Sequence, residues 1–428
     1  MDILSLHSLF LKCSCVSIDT RKIELNSLFI AIRGDRFDAN TFAKEALDKG
    51  ALYVIIDNPN FFIDERTIIV SDSLFALQEL AKFHRKYLKL PILALTGSNG
   101  KTTTKELIQV VLSKKHRCKA TVGNFNNHIG VPLTLLSFDA TTEIGIVEMG
   151  ANHQKEIEFL CNIARPDFGY ITNFGKAHLE GFGGIEGVII GKSEMYQYLD
   201  LNDKMCFINF DDKIQVEKTE NSKTYTFGVQ KSNADLNIIS VKANPFVEIE
   251  YADQTIISHL IGLYNANNIN AAIAIGQYFK VANEDIKTAI ESFVPENNRS
   301  QLLHKNTNEI ILDAYNANPS SMSVAIENFV QLDKPNKMVV LGDMFELGNE
   351  SLSEHQNIIL SLLNEDVIEC YFVGNDFYYH KIEQNHFHFY KTFEEFSDSL
   401  KDNNFENKMI LIKGSRGMAL ERTLEFLP

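Results

Sequence analysis

The stretch Leu93-Ala94-Leu95-Thr96-Gly97-Ser98-Asn99-Gly100-Lys101-Thr102-Thr103-Thr104-Lys105-Glu106 constrains this chain more than any other. An apolar run of strand length breaks into a turn framed by glycines and passes directly into a helix-compatible segment. Gly97 and Gly100 free the backbone to turn its N–H groups inward across Ser98 and Asn99. The following helix adds its positive N-terminal end, and Lys101 can reach a terminal phosphate. Thr102 would offer its hydroxyl to Mg2+. The nucleotide-binding set read here is Gly97, Ser98, Asn99, Gly100, Lys101, Thr102 and Thr103. Leu95 stands where the ordinary phosphate-loop pattern has its first glycine, so the loop is shortened. The competing reading is a plain glycine turn followed by a solvated lysine.

A strand feeding such a loop implies a parallel sheet, and 428 residues with 45% hydrophobic content suffice for two or three domains with proper cores. The net charge of -15 excludes nucleic acid as the main partner, because a phosphate backbone needs clustered Lys and Arg. Cys13, Cys15, Cys118, Cys161, Cys206 and Cys370 show no paired metal-ligand spacing, and free thiols in a reducing cytoplasm are expected. Met1-Asp2-Ile3-Leu4-Ser5 carries an acid where a signal peptide has positive charge, and no apolar run reaches membrane-spanning length. A cytoplasmic monomer without membrane insertion is the expectation.

Three α/β units follow from the alternation of patterns. Before about residue 90, strand-like bursts at Ser27–Ile32 and Tyr53–Ile56 are interleaved with helical patterns at Phe42–Leu47 and Leu74–Tyr87. Pro91 ends that unit. From 91 to 299 the pattern alternates strand and helix, with strand candidates ending at Leu95, Glu148 and Thr172. The segments Lys223–Phe227 and Phe246–Glu250 suggest antiparallel strands at one edge, and Ala271–Phe279 and Glu284–Phe293 read as amphipathic helices. The alternation resumes over 300–428, as a Rossmann-like doubly wound domain.

Candidate chemistry sits beyond the strand ends. Glu148, closing Ile144-Gly145-Ile146-Val147, is placed to ligate Mg2+ or orient water. His178, in Asn173-Phe174-Gly175-Lys176-Ala177-His178, can ligate metal or accept a proton, although a loop histidine taken alone is more often a bystander. Lys192 lies on a helix with an apolar face, where a lysine taken alone is ordinarily a snorkelling side chain. Desolvation eases its deprotonation, and a neutral amine can add CO2 to give a carbamate, a hard oxygen ligand. Asn124, Asn126 and Asn127 form an amide-rich loop that reads equally well as a substrate contact or as a turn.

Together these segments resemble the Mur ligases, which build the peptide of the bacterial cell-wall precursor. Asp313-Ala314-Tyr315-Asn316-Ala317-Asn318-Pro319, Gly342-Asp343-Met344-Phe345-Glu346-Leu347-Gly348 and Lys413-Gly414-Ser415-Arg416 resemble the branch of that family that uses a dipeptide. So do Asp19-Thr20-Arg21, Leu28–Ala31 and the segment from Gly34 to Phe42. The resemblance implies an ATP-dependent amide ligase joining D-alanyl-D-alanine to UDP-N-acetylmuramoyl-tripeptide through an acyl phosphate. It implies an N-terminal domain for the UDP substrate (1–90), a central ATPase domain (91–299) and a C-terminal domain for the dipeptide and closure (300–428).

Carried over by residue, Lys101, Glu148, His178 and Lys192 are catalytic. Thr102 and Glu148 hold the ATP-linked Mg2+, and His178 with carbamylated Lys192 holds a second ion. Asn268 meets adenine, Arg299 the γ-phosphate and Asp313 the ribose. Asp19, Thr20, Arg21, Asn124, Asn126, Asn127, Tyr315, Asn316 and Asn318 contact the other substrates. Tyr264, Asn298 and Asn40 depart from the family pattern, which has histidine, glycine and histidine there. Taken without the resemblance, the motifs also admit a ligase adding a single amino acid, a small-molecule kinase or a nucleotide switch.

Overall fold

The computed structural model describes residues 2–34, 37–400 and 405–427. Residues 35 and 36 of the Gly34 to Phe42 segment therefore lie outside the described residues. Three main sheets organise the chain. The first is parallel and has four strands, in the order Val16–Ser17, Leu28–Ile30, Tyr53–Ile56 and Thr67–Ile69. The fully apolar strand Leu28–Ile30 is buried on both faces, as a sheet covered by helices requires.

The central sheet has nine strands. The phosphate-loop strand Ile92–Thr96 lies between Ile144–Glu148 and Phe168–Ile171 and is parallel to both. Its five residues are all buried, which accounts for the continuous apolar run rather than an alternating one. Crossover helices Lys101–Leu112, Glu156–Ala164 and Ile185–Leu201 return the chain between parallel strands. The loop, the end of Ile144–Glu148 and the end of Phe168–Ile171 thus meet at one rim.

Two expectations need correction. The strand Lys223–Val229 is parallel to both neighbours, and only Phe246–Tyr251 and Gln254–Ile261 form the antiparallel edge, against Leu236–Ala243. Alternation fixes which face a side chain takes but not the direction of the strand. Direction is set here by a short helix, Lys213–Lys218, that carries the chain back before the next strand. The helix expected from Ala271 runs over Ala266–Tyr278 and is buried on nearly every side rather than amphipathic. Its alanines and Gly276 permit close packing on the loop helix: a Cβ on Gly276 would lie 2.6 Å from Val111 Cγ1.

The third sheet has six strands, with Gln301–Lys305 antiparallel to Asn308–Asp313 and the remainder parallel. Helix Pro319–Gln331 opens with a capping box between Asn318 and Ser321 and a proline in its first turn. All six cysteines are free thiols. Among the described residues no helix is long and apolar enough to cross a membrane.

Candidate active site

Gly97 and Gly100 have φ of +145° and +77°, where a side chain would be strained and crowded. A Cβ on Gly97 would lie 1.9 Å from Thr172 Oγ1, and one on Gly100 would lie 2.5 Å from Asn268 Oδ1. Polar contacts tie the loop to the next strand end. Ser98 Oγ donates to the Gly175 carbonyl at 2.6 Å, the Asn99 N–H donates to Asn173 Oδ1 at 3.1 Å, and Thr172 Oγ1 donates to the Asn99 carbonyl at 2.6 Å. Lys101 Nζ donates to the Gly97 carbonyl at 2.6 Å and curls over the loop it opens from. Burial lowers its affinity for a proton, and Glu148 opposes that shift.

Glu148 is buried at the tip of its strand. Its Oε1 accepts from Asn126 Nδ2 at 2.9 Å, while Oε2 has no hydrogen-bond partner. Lys105 Nζ is 3.7 Å from Oε2, and Lys105 is itself buried. The sequence reading gave Lys105 no role. Its place one helical turn beyond Lys101 was the signal that puts both on one face.

A cavity of about 1070 Å3 opens above these groups. Ser98, Asn99, Gly100, Lys101, Thr102 and Thr103 line it, with Asn124, Asn126, Asn127, Glu148 and His178. From the other side come Asn268, Arg299, Asp313, Tyr315, Asn316 and Asn318. The Arg299 guanidinium stacks 3.6 Å from the centre of the Tyr315 ring, and its Nε is buried without a partner. Asp313 accepts from Lys413 Nζ at 2.5 Å and from the Ser300 N–H at 3.0 Å. Asn268 Oδ1 accepts from Thr104 Oγ1 at 3.0 Å. Tyr264 donates to or accepts from Ser300 at 2.8 Å, filling the position where the family pattern has histidine.

Lys192 is not in the lining. It is fully buried behind the cavity on helix Ile185–Leu201, with Nζ 5.2 Å from the centre of the Phe182 ring and no hydrogen-bond partner. Burial, reinforced by the charge on Lys101, holds its proton affinity well below the ordinary lysine value. The neighbouring Glu194 does not pair with it. That carboxylate accepts from the Lys155 and Glu158 N–H groups at 2.6 and 3.0 Å, capping another helix.

The sequence-predicted residues Asp19, Thr20 and Arg21 are elsewhere. They belong to the first sheet's domain, where Arg21 Nη2 pairs with Asp19 at 2.7 Å, and they do not line the cavity. Asn40, in that same domain, is buried, and its Oδ1 accepts from the Asp57 N–H at 3.0 Å. Gly97 supports the loop from behind rather than lining the cavity.

Two charged residues from the third domain reach this region although no motif role was read for them. Lys413 anchors Asp313, and Glu346 Oε2 lies 2.5 Å from His178 Nδ1. His178 in turn holds the Glu346 carboxyl below its ordinary range. Neither pairing leaves a local sequence signal, since each joins segments far apart in the chain.

The Mur ligase middle domain matches residues 95–276, and the Mur ligase glutamate ligase domain matches residues 298–416. The UDP-N-acetylmuramoyl-tripeptide--D-alanyl-D-alanine ligase of Bacillus subtilis (strain 168) is 35% identical over 423 residues, covering 96% of this chain and 92% of that protein. The solved structure of MurF from Acinetobacter baumannii has a TM-score of 0.86 at 28% identity, covering 99% of this chain and 97% of that one. That of MurF ligase from Thermotoga maritima in complex with ADP has a TM-score of 0.83 at 26% identity, covering 97% of each chain.

Proposed function

The chain belongs to the Mur ligase family, and from that premise we propose that it joins D-alanyl-D-alanine to UDP-N-acetylmuramoyl-tripeptide at the expense of ATP. The observation that carries this reading is the convergence of the glycine loop, Glu148, His178, Arg299 and Asp313 on one cavity. The three sheets divide the work as domains 1–90, 91–299 and 300–428, for the UDP substrate, ATP and the dipeptide. The enzyme acts as a cytoplasmic monomer.

A peptide carboxylate is a poor electrophile and must first be activated. Its oxygen attacks the γ-phosphorus of ATP, the bond to the β-phosphate oxygen breaks, and ADP leaves behind an acyl phosphate. The dipeptide amine then attacks the acyl carbon, and phosphate departs with the bonding pair as the amide forms. Both steps concentrate negative charge. Lys101 swings from the Gly97 carbonyl to the terminal phosphate, and Arg299, with Nε unpartnered, faces the same group. Asn268 and Asp313 receive the nucleoside. Tyr315, Asn316 and Asn318, with Asn124, Asn126 and Asn127, hold the peptide partners by hydrogen bonds that add no charge.

Two buried groups without hydrogen-bond partners suit cations. Glu148 Oε2 and Thr102 would hold a nucleotide-linked Mg2+, and His178 with Lys192 as a carbamate would hold a second. The Lys192 amine, whose hold on its proton burial weakens, would bond in its neutral form to the carbon of CO2 and release one proton, turning a site hostile to an ammonium into an oxygen ligand. Bound magnesium would offset charge on the phosphates.

The test is product analysis with both peptide substrates, ATP and Mg2+. The expected result is ADP release that requires the dipeptide, with a pentapeptide product of the corresponding mass. A stable phosphoester formed without the dipeptide would instead make the protein a kinase.

A further inference from the structure

Arg299 stands where the central domain passes into the third, in a segment whose backbone is unusual for its side chains. Asn297, Asn298 and Ser300 all have left-handed φ, +64°, +56° and +48°. Such residues hold that conformation only where their surroundings impose it, and they gather at functional sites. The Arg299 guanidinium stacks on the Tyr315 ring, and its Nε is buried without a hydrogen-bond partner. Its aim is therefore set by the backbone on either side of it.

That backbone is tied from two domains. The Tyr315 N–H donates to the Asn298 carbonyl at 3.2 Å, and the Ser300 N–H donates to Asp313 Oδ1 at 3.0 Å. Both partners belong to the third domain. From the central domain, which carries the phosphate loop, the Tyr264 hydroxyl shares a hydrogen bond of 2.8 Å with Ser300 Oγ. Tyr264 is a firm anchor, because its ring packs directly on the chain: a Cβ on Gly262 would lie 2.5 Å from Tyr264 Cε1. The ring borders the cavity beside Asn265 and Asn268, and Ser300 is buried. Burial also strengthens the phenol's hold on its proton, so the hydroxyl stays a donor as well as an acceptor.

We propose that Tyr264 is a positioning residue for Arg299: acting through Ser300, its hydroxyl fixes the left-handed segment relative to the phosphate loop, and so sharpens the preference for ATP over ADP. The inference rests on the reading that Arg299 faces the terminal phosphate.

Calorimetric titration of the full chain in Mg2+, with ADP and with the non-hydrolysable imido analogue of ATP, tests this directly. Arg299→Ala should bring the two affinities together. Tyr264→Phe, which keeps the ring and removes only the hydroxyl, should lower the preference for the analogue by about 3- to 10-fold, with ADP affinity and the thermal midpoint close to the parent's. Ser300→Ala should do the same, and the double variant should lose nothing further. An unchanged preference in Tyr264→Phe, or an equal weakening of both nucleotides, with Arg299→Ala behaving as expected, overturns the role of Tyr264 alone. Additive losses in the double variant overturn the route through Ser300. An unchanged preference in Arg299→Ala overturns the phosphate assignment and the inference with it.

Discussion

The central sheet meets the first domain through a packed core, and meets the third both through that core and around a cavity. On the first side, Leu77, Leu80 and Ala81 of helix Ser73–Leu88 belong to one buried cluster with Val131 and Leu135 of the central domain. Arg85 adds a pair with Asp167 at 2.7 Å and donates to the Ala164 carbonyl. On the other side, Asn318 Nδ2 donates to Asn99 Oδ1 at 2.7 Å, and Lys176 and His178 meet Glu354 and Glu346 around the opening. Apolar burial holds surfaces together without regard to direction, whereas polar contacts are exchanged for water at little net cost. The same buried cluster takes in Ile311, Met322, Ala325 and Phe329 of the third domain, so both seams carry apolar burial and the second adds polar contacts around the cavity. Substitutions should accordingly change stability in the shared core and turnover around the cavity.

The largest effect should come from behind the cavity. Lys192→Ala should lower ligation by on the order of 100- to 1,000-fold, with partial recovery when a small carboxylic acid fills the vacated space. A parent-like rate in the variant would remove Lys192 from the chemistry. Lys192→Met, which keeps the volume, should be equally inactive yet fold normally, because the amine has no partner to lose.

At the first seam, Leu80→Ala should cost about 2–5 kcal/mol of stability, read by denaturant unfolding, with KM for ATP unmoved. An altered KM at preserved stability would reverse the comparison.

Acid should also act on that seam. His84 Nε2 donates to the Phe138 carbonyl at 2.9 Å, which leaves Nδ1 to accept from His7 Nε2 at 3.0 Å. That relay requires a neutral His84, whose Nδ1 must accept. Burial lowers both values below the ordinary 6.5, against the opposing pull on His84 of the Phe138 carbonyl and then of Asp139. The contribution is complete above pH 6.5. It is lost as pH falls through that value, because the unfolded chain takes up protons first, and it levels once the folded rings titrate. Unfolding midpoints at pH 7.5 and 5.5 should differ less in His84→Gln than in the parent.

The smallest effect should be at the second seam's rim. Lys176→Ala breaks a pair whose lysine is 45% exposed, and should change stability by no more than about 1 kcal/mol. A larger loss in calorimetry would make the polar rim as stabilising as the core.

Much of the site was legible because its signals are local. The glycine loop, the acid at the tip of Ile144–Glu148 and the Tyr-Asn-Ala-Asn-Pro segment each carry their chemistry within a few residues. Strand direction at Lys223–Val229 was not legible, since side-chain alternation is the same for parallel and antiparallel neighbours. Nor was the environment of helix Ala266–Tyr278, whose alanines are compatible with an exposed or a buried face until something packs on them.

By itself the sequence determined the α/β alternation, the phosphate loop and the identity of the groups available for catalysis, because these depend on backbone freedom and on neighbouring side chains. The tertiary structure alone decided that Lys192 is desolvated without a partner, that Glu194 is spent on a helix cap and that Glu346 reaches His178. Protonation and pairing depend on distance and dielectric, and those are fixed only when segments remote in the chain are brought together.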